Sequence, residues 1–438
     1  MLIKTLGNPI TKEELFKYTN GRFLSEEDRQ LSKRYVRFDV DRLCDVIASI
    51  PETGTWQVSK IEKMEGGFSK ALLVTTVDGS EYIVKIPCPN AGRPMYCTAS
   101  EVAVLSFVGT HTTIPVPKVL AWSADPTNPV GAEYIVMERV PGVQIFKKWD
   151  EMGESNRISI IKRLTQWERE LTGIRFPAFG SLYHKSSLRG SLGEHDWISL
   201  DPSVDPEGLY CIGPSCDSAW TMQHSPSVHC GPCYQEGQVM PKLPPDYEDM
   251  DADDKEIALY NKEKATWTKA YEVASFLNDR TAWRAMQVPS PLKELFRRVD
   301  TWDEGILPLR ETLIELFRSQ RDLGFTESLP LSFNDEQIAA HKKEFEVYQE
   351  WHEMRSFVKQ VLDTDDDGWV PPERDFTEIK SRNKALFDYY ISKPSLNKTP
   401  DEARSLWPFL FSSRLRCPAL PISYAPPPRK PFVVPELH

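Results

Sequence analysis

The sequence predicts an α+β fold with a β-rich small lobe followed by a mainly helical large lobe. Two runs rich in β-branched residues, 71–77 and 82–86, flank Asp78 and Gly79. An Asp-Gly pair supplies the positive φ angles of a tight turn, so the two runs predict a β-hairpin. In the later part of the chain, long periodic patterns of charged and apolar residues predict helices over 253–277, 308–323 and 335–362, and a shorter one over 291–299.

A single charged side chain interrupts the second strand of this hairpin. Lys85 has apolar neighbours on both sides. A lysine in a buried strand needs a partner that offsets the loss of hydration of its ammonium group. The candidate partner is Glu101, at the start of the helical pattern 101–107.

The segments around the hairpin complete the predicted order of elements. Before it, 39–50 has amphipathic helical spacing with Asp39 as a plausible N-cap. After it, 114–120 is a strand flanked by prolines, which suits a sheet edge because proline donates no ladder hydrogen bond. A further strand is predicted over 133–137, and an apolar stripe predicts a helix over 157–172.

Composition and charge narrow the class of protein. The chain has 438 residues, with 53 Lys and Arg against 64 Asp and Glu, and a pI near 5.4, which argues against nucleic acid as the main partner. It contains no apolar run of membrane-spanning length. Eight scattered cysteines suit a reducing compartment better than a disulfide framework. The N-terminus has no apolar segment typical of a secretory signal.

The hairpin, the strand lysine and the helix glutamate together resemble the small lobe of the protein-kinase-like fold, in its aminoglycoside-phosphotransferase branch. The resemblance implies an ATP site, in which Gly66 and Gly67 lie in the turn over the phosphates. It also implies that Lys85 contacts the nucleotide and that Glu101 holds Lys85 in place. The segment from Glu138 to Val140 matches the hinge that hydrogen-bonds the adenine. The alternative is a surface hairpin with a lysine that reaches into solvent.

Four further segments resemble the fungal family of altered inheritance of mitochondria protein 9, a phosphotransferase-like group. They are residues 16–24, 34–40, 176–183 and 211–214. The resemblance implies transfer of the γ-phosphoryl of ATP to a hydroxyl of an unknown acceptor, with magnesium, in the mitochondrion. The cytoplasm is the alternative location, because the N-terminus is a poor transit peptide, with no Arg before Arg22.

The residues that would perform this reaction are missing from the sequence. The family's loop has the form His-x-Asp followed by Asn, and a second Asp, in an Asp-Trp or Asp-Phe-Gly context, holds magnesium. None of the eight histidines is followed two positions later by Asp. Family-like segments continue on both sides of a gap near 220–223. The chain is therefore either a natural pseudoenzyme or the product of a coding sequence that has lost an exon. The second is favoured because core strands are lost together with the catalytic residues, and magnesium is expected only if the segment is restored.

Two other motifs have weaker functional interpretations. Cys230 and Cys233 have the spacing of a redox pair, and His224 or His229 would extend them to a zinc set, but the flanks supply neither the strand nor the helix that a redox pair requires. The stretch 363–370 follows the start of a calcium-binding loop, but its twelfth position is Arg374 instead of Glu. Loops explain both motifs better.

The predicted organisation has four parts. An N-terminal helical extension covers 1–55, the nucleotide-binding small lobe 56–142, the helical large lobe without its catalytic loop 143–409, and a proline-rich flexible tail 410–438. The expected partners are a nucleotide and an unidentified small-molecule or protein acceptor. The alternative function is that of a noncatalytic nucleotide-binding or scaffold protein in mitochondria.

Overall fold

A seven-stranded sheet contains the predicted hairpin. In this computed structural model the strand order is β2-β1-β4-β5-β6-β8-β7. The predicted hairpin is confirmed, because β5 and β6 pair antiparallel and Gly79 has a φ of 87° in the turn between them. The strands are β1 (Leu2–Thr5), β2 (Asn8–Pro9), β4 (Val58–Glu65), β5 (Ser69–Thr76), β6 (Glu81–Pro87), β7 (Val119–Ser123) and β8 (Tyr134–Glu138).

The structure describes most of the chain. The described residues are 1–5, 7–50, 57–188, 197–216, 241–288, 291–295, 306–325, 329, 332–392, 399, 404 and 406–409. They divide into two compact units, of which the first comprises Met1–Asn20 with Leu31–Tyr348 and the second Gly21–Gln30 with Gln349–His438.

The seven-stranded sheet differs from the prediction at both of its edges. The N-terminal extension, predicted to be helical, contains three helices among its described residues, but its first residues form strands: β1 joins the sheet parallel to β4 and β2 pairs with β1. At the other edge, the predicted strand 114–120 begins only at Val119. Pro115 and Pro117 explain the late start, because neither can donate a ladder hydrogen bond. Its predicted position at a sheet edge is confirmed.

The helix α4 (Tyr96–His111) packs against two different sheets. On one side, Val102 contacts Ile135 and Met137 of β8. On the other side, Phe107 packs with Leu182 and other residues of a three-stranded sheet, in the order β10-β11-β9. This small sheet was not predicted; its strands are β9 (Ser181–His184), β10 (Ile198–Ser199) and β11 (Tyr210–Gly213).

The long helices have bounds close to those that the periodic patterns predict. In the first unit α5 packs on α7, and the Nδ2 of Asn278 donates to the hydroxyl of Thr165 at 2.8 Å. The class α+β is confirmed. The remaining helices are α1 (Lys12–Phe16), α2 (Glu27–Ser32), α3 (Val40–Ala48), α5 (Glu154–Thr172), α6 (Lys185–Leu188), α7 (Ala252–Asn278), α8 (Arg280–Met286), α9 (Ile306–Ser319), α10 (Asp335–Leu362) and α11 (Phe376–Ser392).

The second unit has its own apolar core. Leu24 packs with Val358, Leu362, Trp407 and Phe409 in a buried cluster. A short antiparallel pair of strands, β3 (Arg22–Phe23) and β12 (Trp369–Val370), lies in the same unit. No helix among the described residues of the chain is both long enough and apolar enough to cross a membrane.

A buried ionic network joins the segment around Lys17 to the seven-stranded sheet. The side chains of Lys63 on β4 and Lys70 on β5 are fully buried, and that of Glu65 is 4% exposed. The Nζ of Lys63 lies 3.1 Å, and that of Lys70 2.7 Å, from a carboxylate oxygen of Glu65. Both ammonium groups also donate to the carbonyl of Lys17, at 2.6 and 2.9 Å. Burial lowers the pKa of Lys63, because removal from water disfavours the charged ammonium group.

The network predicts a large effect of removing its single anion. Glu65→Gln leaves two buried ammonium groups without a counter-charge, and we expect the free energy of unfolding to fall by about 3–5 kcal/mol. The matched control is Glu62→Gln on the same strand, because Glu62 pairs with Lys60 at 2.5 Å in a more exposed position. The control should cost ~1 kcal/mol or less. Urea denaturation measures both, and equal losses would contradict the prediction.

Candidate functional site

The strand lysine and the helix glutamate meet as a close ion pair. The Nζ of Lys85, on β6, lies 2.6 Å from each carboxylate oxygen of Glu101, on α4. Their side chains are 34% and 36% exposed, so the pair is partly accessible to a ligand. Glu101 is the only carboxylate in the sequence of α4, whose other residues are mostly apolar and small. The helix therefore presents a single anion to the sheet.

A small cavity lies beside this pair. Its volume is about 110 Å³, and its lining includes Phe68, Ser69, Lys85, Cys97, Thr98 and Glu101. Glu101 is the only carboxylate among the described residues that line it. The volume suits a phosphate group, because whole drug-sized ligands occupy ~300–1,000 Å³. A magnesium ion here would need further oxygen ligands from outside the cavity lining.

The turn between β4 and β5 is held by its backbone carbonyl. The carbonyl oxygen of Gly67 accepts hydrogen bonds from the Nε of Arg34 at 3.1 Å and from the Nδ2 of Asn90 at 3.2 Å. Inside the turn, the amide of Gly66 donates to the carbonyl of Ser69 at 3.1 Å. A Cβ atom added at Gly67 would meet nothing within 4 Å. The space above this residue lets a ligand approach the backbone.

The start of α4 is fixed by a carboxylate from a distant part of the chain. Met95, the residue before the helix, has a φ of 67° and offers no capping side chain. The carboxylate of Glu133 instead accepts from the amide of Met95 at 2.9 Å and from the hydroxyl of Thr98 at 2.5 Å. Anionic groups are favoured at helix N-termini. Glu133 thereby sets the position from which Glu101 reaches Lys85.

The predicted hinge residues lie at the end of β8. The amide of Glu138 already donates to the carbonyl of Lys118 at 3.0 Å, so it is not available to a base. Val140 follows the strand and is 61% exposed. Neither residue lines the cavity. A nucleotide base at this place would bind to an open surface, where the carbonyl of Glu138 and the groups after it are the candidate ligands.

The structure brings together some of the predicted residues and leaves others apart. Lys85 and Glu101 are paired at the cavity, and Gly66 and Gly67 form the turn whose next two residues line it. Three contacts were missed, namely those of Arg34, Asn90 and Glu133. No periodic pattern could have shown them, because each joins segments that are distant in the sequence. Arg34 does fall within the family-like segment 34–40, which was the only available signal.

Of the two motifs with weaker functional interpretations, the structure describes the acidic stretch 363–370 but not the cysteine motif. Cys230, Cys233, His224 and His229 lie outside the described residues, as does the predicted tail. In the acidic stretch 363–370, the carboxylate of Asp365 accepts from the amides of Asp367 at 3.0 Å and Trp369 at 2.8 Å. Burial raises the pKa of Asp365. These contacts support the interpretation of the stretch as a structural turn. In the described part of the chain, no three His, Cys, Asp or Glu residues lie close enough together to form a metal site.

Comparison with known proteins shows relatives in several fungi. A subtelomeric hrmA-associated cluster protein of Aspergillus fumigatus is 40% identical over 171 residues, which is 39% of this chain and 32% of the relative. The mitochondrial protein named altered inheritance of mitochondria protein 9 is 23% identical over 267 residues in Saccharomyces cerevisiae, covering 49% of this chain and 42% of the relative. Its namesake in Yarrowia lipolytica is 28% identical over 194 residues, covering 40% of this chain and 33% of the relative. The resemblance stated from the sequence is confirmed.

The matches are partial in length and in structure. The chain spans about a third of the length of the first curated relatives it matches. No protein-family model matches it. A Ralstonia eutropha protein described as an aminoglycoside phosphotransferase is similar over 36% of this chain and 43% of its own, with 18% identity and a TM-score of 0.27. The complex of streptomycin, ATP and APH(2")-IIa is similar over 37% and 47%, with 13% identity and a TM-score of 0.25.

The contacts of Gly67 predict that Arg34 controls the mobility of the glycine turn. Arg34→Ala removes a charge-assisted hydrogen bond worth roughly 1.5–3 kcal/mol, so amide exchange at residues 66–69 should accelerate about tenfold or more. Hydrogen–deuterium exchange followed by mass spectrometry measures this. Arg37→Ala is the control, because Arg37 is exposed. Unchanged exchange in Arg34→Ala with an intact fold would show that the turn is held by other contacts.

Proposed function

We propose that the chain binds the phosphate groups of ATP at the cavity beside Lys85 and Glu101. The observation that carries the proposal is the symmetric pair itself, in which Nζ of Lys85 lies 2.6 Å from both carboxylate oxygens of Glu101. A lysine held by a helix glutamate next to a glycine turn is the arrangement that positions nucleotide phosphates in kinase-like phosphotransferases. Gly66 and Gly67 supply the turn, and we assign the base to the surface at the end of β8, beside Glu138 and Val140.

The reaction proposed for the complete family member is phosphoryl transfer from ATP to a hydroxyl acceptor of unknown identity. In a chain with the missing segment restored, magnesium would supply positive charge that neutralises the phosphates, and this chain's own cavity supplies Lys85 for the same negative charge. As the sequence stands, it has no His-x-Asp loop to orient an attacking hydroxyl. We therefore expect nucleotide binding without turnover. The similarity to the mitochondrial proteins of Saccharomyces cerevisiae and Yarrowia lipolytica supports residence in the mitochondrion.

A second candidate is a noncatalytic binding or scaffold protein, in which the same cavity senses nucleotide and the helices bind a partner. The missing catalytic loop favours it if the chain is the natural product. It shares the nucleotide site with the first candidate and differs in whether a longer natural form performs catalysis. Sequencing of the natural transcript and a measurement of ATP turnover distinguish the two candidates.

Loss of Lys85 should abolish the effect of ATP on thermal stability. A ligand at one hundred times its dissociation constant stabilises a protein by about 2.7 kcal/mol, so saturating ATP should raise the melting temperature of the unaltered chain measurably. Lys85→Ala should show no such rise. The matched control is Lys60→Ala, because Lys60 forms a pair with Glu62 away from the cavity lining and should leave the ATP effect unchanged.

Two results would contradict the proposal at different points. If ATP still raised the melting temperature of Lys85→Ala, the nucleotide would bind at a place other than this cavity. Formation of ADP by the purified chain, measured with radiolabelled ATP, would show that catalysis does not need the missing loop.

The transcript provides an independent prediction. If an exon has been lost, the message across the codons for Ile212 to Lys242 should be longer than the present sequence requires. The added codons should encode a His-x-Asp loop with its Asn and a following Asp-Trp. A message that matches the present chain would instead establish a natural pseudoenzyme, and reverse transcription followed by sequencing decides between these outcomes.

A further inference from the structure

Two cysteines meet where α4 approaches the small sheet. Cys97 lies in the first turn of α4, and Cys216 follows β11 by three residues. The side chains of Cys97 and Cys216 are hydrogen-bonding neighbours. Gly92 is close to both residues, since a Cβ added there would lie 2.7 Å from the sulfur of Cys97 and 3.7 Å from the carbonyl oxygen of Cys216. The two residues are half-buried, so small reagents can reach them.

Several hydroxyl groups surround the sulfur of Cys216. The hydroxyls of Ser181 and Ser100 donate to it. The phenol oxygen of Tyr183 lies 2.9 Å from it, while the phenol proton is donated to the carbonyl of Pro214 at 2.6 Å. These donors come from both β9 and α4. With the hydrogen bond from Cys97 as the largest cause, they lower the pKa of Cys216 to about 6. The pKa of Cys97 is raised, chiefly by the same hydrogen bond, so the shared proton remains on Cys97.

This arrangement separates the roles of the two sulfurs. A thiolate is the nucleophile in sulfur oxidation, and a thiolate that accepts several hydrogen bonds is present at neutral pH. A neighbouring thiol within contact distance can then resolve the oxidised sulfur. By contrast, burial raises the pKa of Cys44 to about 11 and that of Cys211 to about 11, so both remain protonated.

We propose that Cys216 and Cys97 form a peroxide-sensitive pair that closes to a disulfide. The sulfur of Cys216 attacks one oxygen of hydrogen peroxide; the S–O bond forms, the O–O bond breaks, and the leaving hydroxide takes up a proton to give water. Cys97 then loses its proton, and its sulfur attacks the sulfenic sulfur of Cys216. The S–S bond forms, the S–O bond breaks, and a second water leaves. Both cysteine sulfurs are oxidised and the peroxide is reduced.

The disulfide would alter the helix that bears Glu101. Cys97 and Glu101 are four residues apart on α4, and both line the cavity beside Lys85. Linking Cys97 to the segment after β11 restrains this helix relative to the small sheet. A change in nucleotide affinity between the reduced and oxidised chain follows from this restraint, and that consequence rests on the proposed function.

The pair itself is tested without nucleotide. The full-length protein is treated with hydrogen peroxide, with and without dimedone, and digested under non-reducing conditions for mass spectrometry. We expect a Cys97–Cys216 cross-link that dithiothreitol reverses. Cys88 lies in the same tryptic peptide as Cys97, and Cys211, Cys230 and Cys233 lie in the same one as Cys216, so fragment ions must assign both linked sulfurs. Cys97→Ser should lose the cross-link and trap a dimedone adduct on Cys216, whereas Cys216→Ser should lose both products.

Cys44→Ser is the matched control and should retain the cross-link. The proposal is overturned if Cys216 links to Cys230 or Cys233 instead, or if no cross-link forms. It is equally overturned if Cys97→Ser, melting as cooperatively as the unaltered chain, carries no adduct on Cys216. ATP-dependent melting of the reduced and oxidised chain then tests the consequence separately. A cross-link without an ATP effect in either state would retain the thiol pair and reject the nucleotide site.

Discussion

The position of α4 between two sheets is the constraint on which the candidate site depends. The helix packs through Val102 against the large sheet and through Phe107 against the small one. A helix that is apolar on most of its surface must be buried on more than one side. Within such a helix a partly buried carboxylate is stabilised by a nearby cation, and Glu101 pairs with Lys85. The same packing that buries the helix therefore fixes the ion pair.

The segment that precedes β4 supports both the strands of the hairpin and the glycine turn. It supplies the carbonyl groups of Glu14 and Lys17 to the buried ammonium of Lys63, at 2.8 and 2.6 Å. It also supplies Arg34, which holds the carbonyl of Gly67. The strands of the hairpin thus depend on residues that precede them by several tens of positions. A shorter chain that begins at the hairpin would leave Lys63 and Lys70 buried beside Glu65 with fewer acceptors.

Local patterns predicted the elements, and the contacts between distant elements remained unpredicted. The hairpin and the partner of Lys85 were predictable, because an Asp-Gly turn and a lone strand lysine carry local physical requirements. The strand β1 was not, because four residues of parallel pairing leave no periodic signal. The capping role of Glu133 was equally hidden, since the amide that it accepts from belongs to Met95, far from it in sequence. Capping by a remote side chain needs the tertiary fold before it can be recognised.

The residues on which both proposals depend are concentrated on one helix. The N-terminal turn of α4 carries Cys97, and the next turn carries Glu101; because residues four apart share a face, both reach the same cavity. The absence of a His-x-Asp motif from the sequence leaves this face of the helix unaffected. A ligand that draws Lys85 away from Glu101 and an oxidant that joins Cys97 to Cys216 would act on the same rigid element. Binding and oxidation are then linked through the position of α4, and each should change the free energy of the other by the same amount.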